Sequence, residues 1–224
     1  MSRLQCNFLL GRKASQAEKC REGQYGGSSD GSSRSAGFNS GNHTFQNYCT
    51  YDLIGPNGHR VYEAKEYREF CGPRMDIRVQ NLQGYNILNL LLPAHFCSWE
   101  STLQVIDASG HLLGFVEKNW SFSAASFDIL RPDNQLCLKV QGPGWGEGFM
   151  SDQVYQVLSA DKSFAVGQII RVWQGLGREM FTREDKFVVQ FPADLEVSMK
   201  AILIACTLMI DLLDHERRRQ HSHH

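Results

Sequence analysis

The sequence predicts a mainly β protein with one long helix, built as a closed antiparallel β-barrel of about twelve strands around a central hydrophobic C-terminal helix. Three observations carry this. Six hairpin-like units follow one another from Tyr51 onward, no helical pattern interrupts them, and one apolar run stands near the C-terminus.

Each unit is a β-rich run, a turn centred on Asn, Asp or Gly, and a second β-rich run. They read YDLIGPNGHRVYEA, DIRVQNLQGYNILNL, LQVIDASGHLLGFV, FDILRPDNQLCLKV, YQVLSADKSFAVGQII and MFTREDKFVVQF. Asn-Gly, Asp-Asn and Ser-Gly pairs supply the positive φ that tight hairpin turns require. Leu136, Leu138 and Val140 alternate with polar or small neighbours, as a half-buried strand should. GFVEKNW, closing on Trp120, matches GQIIRVW, closing on Trp173, which suggests internal duplication. Hairpins in unbroken succession make an up-and-down sheet, and closure removes its unpaired edges. A barrel of this size is too wide for its own side chains to fill, so another element must occupy the lumen.

That element is expected at residues 195–213, LEVSMKAILIACTLMIDLL, after FPAD, where Pro192 and Asp194 form a helix start. Met199, Ile202, Leu203, Ile204, Met209 and Ile210 are its core candidates. The uninterrupted apolar run, Ala201 to Ile210, is ten residues, against the roughly 20 that span a bilayer. Lys200 and Asp211 bracket it closely, which favours a buried core helix over a membrane span.

The remaining segments follow from composition. Residues 1–13 contain a candidate first strand, whose partner would lie beyond a disordered Gly/Ser-rich segment at 14–46 that cannot repay the entropy of ordering. Residues 47–214 form the barrel domain, and 215–224 a basic, histidine-rich tail. Arg217, Arg218 and Arg219 in that tail would each contribute about 1 kcal/mol beside anionic lipid.

With 23 Lys and Arg against 24 Asp and Glu, no chain-wide field recruits nucleic acid, which is not an expected partner. Seven scattered cysteines without a CxxC pair argue against a disulfide framework or zinc site and fit a reducing, cytosolic environment. The N-terminus shows no signal-peptide pattern, so the sequons at Asn42 and Asn119 are read as chance matches. GPGWGEGF lacks the GK[ST] ending of a phosphate loop, and HERRR lacks the second histidine of a zinc helix. No nucleophile, base or paired-carboxylate signature is present, so bond-making catalysis is not expected.

The stretch FTREDKFVVQFPADLEVSMKAILIACTLMIDLL, the two Trp-ended strands, the NGHRVYEA hairpin and the CGP at Cys71 to Pro73 resemble the phospholipid scramblase family. The likeness runs over roughly residues 50–213, with this chain a divergent member. It implies a tubby-like fold and ATP-independent, bidirectional movement of phospholipids between leaflets when calcium binds. It also implies a partner in the phospholipid membrane, at the cytoplasmic face of the plasma membrane, with a cytosolic location as the alternative. Protein partners or a homo-oligomer stay open.

The resemblance further places a calcium segment on Arg183 to Asp194. Asp185 and Asp194 keep acidic positions and Glu184 adds a carboxylate, but Arg183 stands where Asp is expected and Lys186 where Asn is expected. Calcium takes about six to eight oxygens, so two cations in the segment oppose it. The family's palmitoylated cysteine run reads AHFCSW here, which leaves Cys97 as the one candidate lipid anchor and only marginal attachment. Its basic nuclear-import strand matches GQIIRVWQG, where Arg171 alone is basic. Two functions therefore compete. One is a lipid scrambler; the other is a non-scrambling barrel that binds lipid or protein and has lost calcium regulation.

Overall fold

The structure, a computed structural model, describes residues 5–14, 46–68, 73–93, 101–119, 124–144, 151–175 and 185–221. Twelve strands form one closed barrel. They are β1 (Gln5–Ala14), β2 (Gln46–Ile54), β3 (Arg60–Arg68), β4 (Met75–Asn81), β5 (Asn86–Leu92), β6 (Thr102–Asp107), β7 (Leu112–Asn119), β8 (Ala124–Leu130), β9 (Leu136–Gly144), β10 (Gln153–Ser159), β11 (Ala165–Val172) and β12 (Lys186–Pro192). Among the described residues one helix, α1 (Val197–His221), follows. Every neighbouring pair is antiparallel.

Five of the six sequence units become the hairpins β2–β3, β4–β5, β6–β7, β8–β9 and β10–β11. The sixth does not form a hairpin of its own: its described part is β12, which pairs with β11 on one side and β1 on the other. Closure is made by β1, with Phe8 opposite Val189 and Leu10 opposite Leu53. The disorder expected for residues 14–46 falls, apart from its two ends, outside the described residues.

The five hairpins turn in the same way. In each, the first turn residue accepts a backbone hydrogen bond from the residue three on: Gly58 to Gly55, Gly84 to Asn81, Gly110 to Asp107, Asn134 to Arg131 and Lys162 to Ser159. Those five donors all hold positive φ, between 60° and 85°, the left-handed step that closes a three-residue loop in four of the hairpins and a four-residue loop in β10–β11. Because strands alternate in direction, all five turns and the β12–α1 junction share one end of the barrel. The other inter-strand connections share the opposite end.

The glycines of the two Trp-ended segments share one local feature. Gly114 on β7 and Gly167 on β11 each face a neighbouring strand's carbonyl so closely that an added Cβ would lie 2.2 Å from Leu130 O and 2.1 Å from Gln190 O. Trp120 lies outside the described residues, and the Trp173 amide donates to Asp152 Oδ1 at 2.9 Å.

Inward positions alternate along each strand: Met75, Ile77 and Val79 on β4, Leu103 and Val105 on β6, Phe187, Val189 and Phe191 on β12. α1 occupies the space they enclose. Met199 is buried, and from Ile202 to Leu213 every residue is buried, on all sides of the helix. Ile202, Leu203, Ile204, Met209 and Ile210 are among them. The one hydroxyl in this run, Thr207 Oγ1, donates to Leu203 O at 2.9 Å and so carries no unmet polar demand into the core. The helix starts at Val197 and continues past residue 213 to His221. No helix among the described residues is long and apolar enough to cross a membrane.

Candidate functional site

β12 decides the fate of the expected calcium segment. Asp185 stands immediately before it and Asp194 just after it, at opposite ends of the barrel. Seven strand residues, at about 3.3 Å each, put roughly 23 Å between the two ends, whereas ligands of one calcium ion each lie within about 2.6 Å of it. The structure does not bring the two carboxylates together. Glu184 and Arg183 lie outside the described residues, and Lys186 is the first residue of β12. Among the described residues no group of three or more His, Cys, Asp or Glu is arranged to hold a metal ion.

Each acidic end has a positive side chain at hand. Arg171 on β11 donates to Asp185 Oδ1 through Nη2 at 2.8 Å and Nε at 3.3 Å, and its Nη1 lies 3.4 Å from Asp214 Oδ2 on α1. Burial works against the Arg171 charge, but Asp185 and Asp214 carry its pKa upward. At the other end Lys200 Nζ donates to Ala193 O at 2.7 Å, and Arg131 pairs with Glu196 at 3.2 Å. An internal guanidinium thus stands against Asp185, where a metal would otherwise be expected.

Beside Arg171 lies a polar cluster inside the lumen that sequence reasoning missed. Arg12 on β1 donates to Cys49 Sγ at 2.8 Å and lies 3.6 Å from Asp211 Oδ2 on α1. Tyr51 Oη donates to the same Asp211 oxygen at 2.9 Å. Arg12, Glu66 and Asp211 are all buried. Burial raises the Asp211 pKa to about 6, with Asp185 adding to the rise and Arg12 and Tyr51 opposing it. Burial, and then the charge of Asp211, push the Tyr51 hydroxyl well above its usual range. Tyr51 therefore stays neutral, and Asp211 is the anion that holds Arg12 charged despite desolvation. Burial outweighs the ion pair for Asp211: Arg12 Nη1 lies 3.6 Å from Oδ2, and Oδ1 meets no donor among the described residues. The arrangement fastens the last buried turns of α1 to β1, β2 and β11.

The available signal was strand alternation. Arg12 follows Leu10 on one inward face, and Glu66 follows Ala64 on another. Cys97, the candidate anchor, and Cys71 of the CGP lie outside the described residues. Cys6, Cys49, Cys137 and Cys206 form no disulfide among the described residues, and burial drives the Cys206 thiol pKa far upward, which keeps it protonated.

Comparison with known proteins places this architecture. The scramblase family model matches residues 45–217, the whole barrel except β1, together with most of α1. The chain is 29% identical over 188 residues to human phospholipid scramblase 2, covering 79% of this chain and 63% of that one. It is 31% identical over 181 residues to human phospholipid scramblase 1, covering 75% and 57%, and 33% identical over 148 residues to human phospholipid scramblase 4, covering 63% and 45%. It spans less than two thirds of the length of each of these relatives. No solved structure matches. By a match that takes in eleven of the twelve strands and the helix they enclose, the chain belongs to the scramblase family.

Proposed function

We propose that this protein moves phospholipids between the leaflets of a bilayer, in both directions and without ATP, from the cytoplasmic face of the plasma membrane. The observation that carries the reading is the family match from residue 45 to 217, together with relatives named phospholipid scramblases. The lumen is filled by α1, so no headgroup path runs through the barrel. Crossing must instead follow the outer surface or a bilayer the protein distorts, where a polar headgroup is spared part of its desolvation cost. No bond is made or broken in this activity.

In this reading the flux does not respond to calcium. Arg171 already neutralises Asp185, β12 separates Asp185 from Asp194, and Arg183 and Lys186 bring positive charge to the segment. These substitutions also favour a second reading, a barrel that binds lipid or protein without scrambling.

One assay separates them. Purified protein is reconstituted into vesicles carrying a fluorescent phospholipid, and dithionite is added outside, with and without calcium. Quenching well beyond the outer half of the label, equal in both conditions, is the expected result. Protection of half the label in both conditions would leave the binding barrel, and loss of protection only with calcium would overturn the calcium-independent reading.

A further inference from the structure

Among the described residues the exposed large hydrophobic side chains are Leu82, Tyr85, Phe164 and Val197. All four lie at the tight-turn end of the barrel. Leu82 and Tyr85 sit in the β4–β5 turn, Phe164 closes the β10–β11 turn, and Val197 opens α1 at the barrel mouth.

The turns do not require them. The position of Leu82 is held by Pro56, Ala108, Pro132 and Ala160 in the other four hairpins, and the position of Tyr85 by His59, His111 and Gln135, with Phe164 one residue later in the longest turn. Four of the five turns close with the same pair of backbone hydrogen bonds and the β10–β11 turn with one more residue inside it, so small or polar residues serve the fold equally well. Leu82, Tyr85 and Phe164 are 55%, 71% and 59% exposed, which leaves most of their apolar surface in water.

We propose that the tight-turn end of the barrel is a membrane-docking surface, with Leu82 and Tyr85 on one side and Phe164 on the other entering the headgroup layer of a phospholipid bilayer. The β4–β5 and β10–β11 hairpins are six strand positions apart in the closed order of twelve, hence on opposite sides of the ring. Strands spaced about 4.8 Å give a ring roughly 20 Å across. A protein partner buries a contiguous apolar centre, whereas a fluid bilayer receives separated side chains one by one. Tyr85 suits the water–lipid boundary, with an apolar ring and a polar tip.

Charge at this end is mixed. Asp107 accepts the amides of Ser109 and His111, both at 2.8 Å, Asp133 that of Gln135 at 3.0 Å, and Asp161 that of Ser163 at 3.1 Å. These carboxylates are thus directed into their own turns; Lys162 is exposed beside Asp161, Arg131 pairs with Glu196 at 3.2 Å, and Asp194 is exposed. The choice of partner rests on the phospholipid reading above; the surface itself does not.

The test is flotation of the full chain with vesicles of phosphatidylcholine, alone or mixed with phosphatidylserine, comparing wild type with Leu82→Ala/Tyr85→His/Phe164→Gln. Each replacement is a residue that a sister turn already carries, so the melting temperature should be unchanged. Vesicle affinity should fall by about tenfold or more, since interfacial binding scales with inserted apolar area. As a second readout, Leu82→Trp alone should gain a blue-shifted emission component on adding vesicles and be quenched by brominated acyl chains. Equal flotation of both proteins, no flotation of wild type, or absence of quenching would overturn the proposal. So would a change in oligomeric state of the triple variant at unchanged vesicle binding, which would make this end an interface between copies. Scrambling is measured separately: a wild type that floats by these turns but leaves half the label protected would sink the functional reading and spare the docking surface.

Discussion

Asp211 makes the fold's stability depend on pH in a way that can be worked out. Its carboxyl is buried and titrates at about 6 in the folded chain, against the ordinary 3.8. Below 3.8 both states hold the proton and above 6 neither does. Between these limits the folded chain binds more, so stability is full at low pH and falls as pH rises. At about 1.36 kcal/mol per pH unit the interval is worth about 3 kcal/mol, of which about 2 kcal/mol falls between roughly pH 4 and pH 7. Asp211→Asn removes the titration. Its stability relative to wild type should therefore rise by about 2 kcal/mol over that range, whatever constant offset comes from Arg12 losing its counter-ion. The groups that act on Asp211, namely Arg12, Tyr51, Arg171 and Asp185, respond to its loss, so the difference reports the carboxyl together with that response. Urea unfolding at a series of pH values measures the difference through the midpoint and slope. A difference that stays level refutes the reasoning. One that falls with pH means Arg12 holds the carboxylate ionised more strongly than burial opposes it.

Four further outcomes follow from the packing and the ion pairs. Gly114→Ala places a Cβ 2.2 Å from Leu130 O and 2.8 Å from Ile202 Cδ1, at φ 154°, so backbone and helix must both move; a loss of about 3 kcal/mol or more is expected from denaturant unfolding. Leu203→Ala leaves a cavity in the fully buried face of α1 and should cost about 3 kcal/mol in the same measurement. Arg171→Gln removes the cation shared by Asp185 and Asp214 and, since the pair is partly solvated, should cost about 2 kcal/mol. Added calcium should leave the wild-type melting temperature unchanged, and a rise on calcium would contradict the role given to Arg171.

Hairpins were legible because their chemistry is local: a residue able to adopt positive φ between two alternating runs says nearly everything about a tight turn. The apolar helix was legible for a similar reason, since Ala201 to Ile210 leaves no polar face to show to water. Closure was harder. β1 pairs with strands that begin at residues 46 and 186, and nothing near Phe8 or Leu10 encodes a partner so distant. The sixth unit misled because Arg-Glu-Asp-Lys looks like a turn, whereas the strand that follows, Lys186 to Pro192, finds both neighbours elsewhere in the chain.

The site depended on that closure even more. Arg12 and Asp211 are far apart in sequence and meet only once β1 has closed the ring around α1. Motif matching put Asp185 and Asp194 in one loop because it counts residues. An extended strand converts the same count into the length of the barrel wall.

α1 fills the barrel, and in the proposed function lipid is handled outside it. Photolabelling from within the bilayer tests this most directly: vesicles containing a phospholipid with a photoactivatable group in its acyl chain are irradiated with bound protein, and labelled peptides are located by mass spectrometry. Adducts are expected on the turns carrying Leu82, Tyr85 and Phe164 and none on residues 199–213. Adducts within 199–213 would show that the helix leaves the barrel for the membrane, and would contradict that reading.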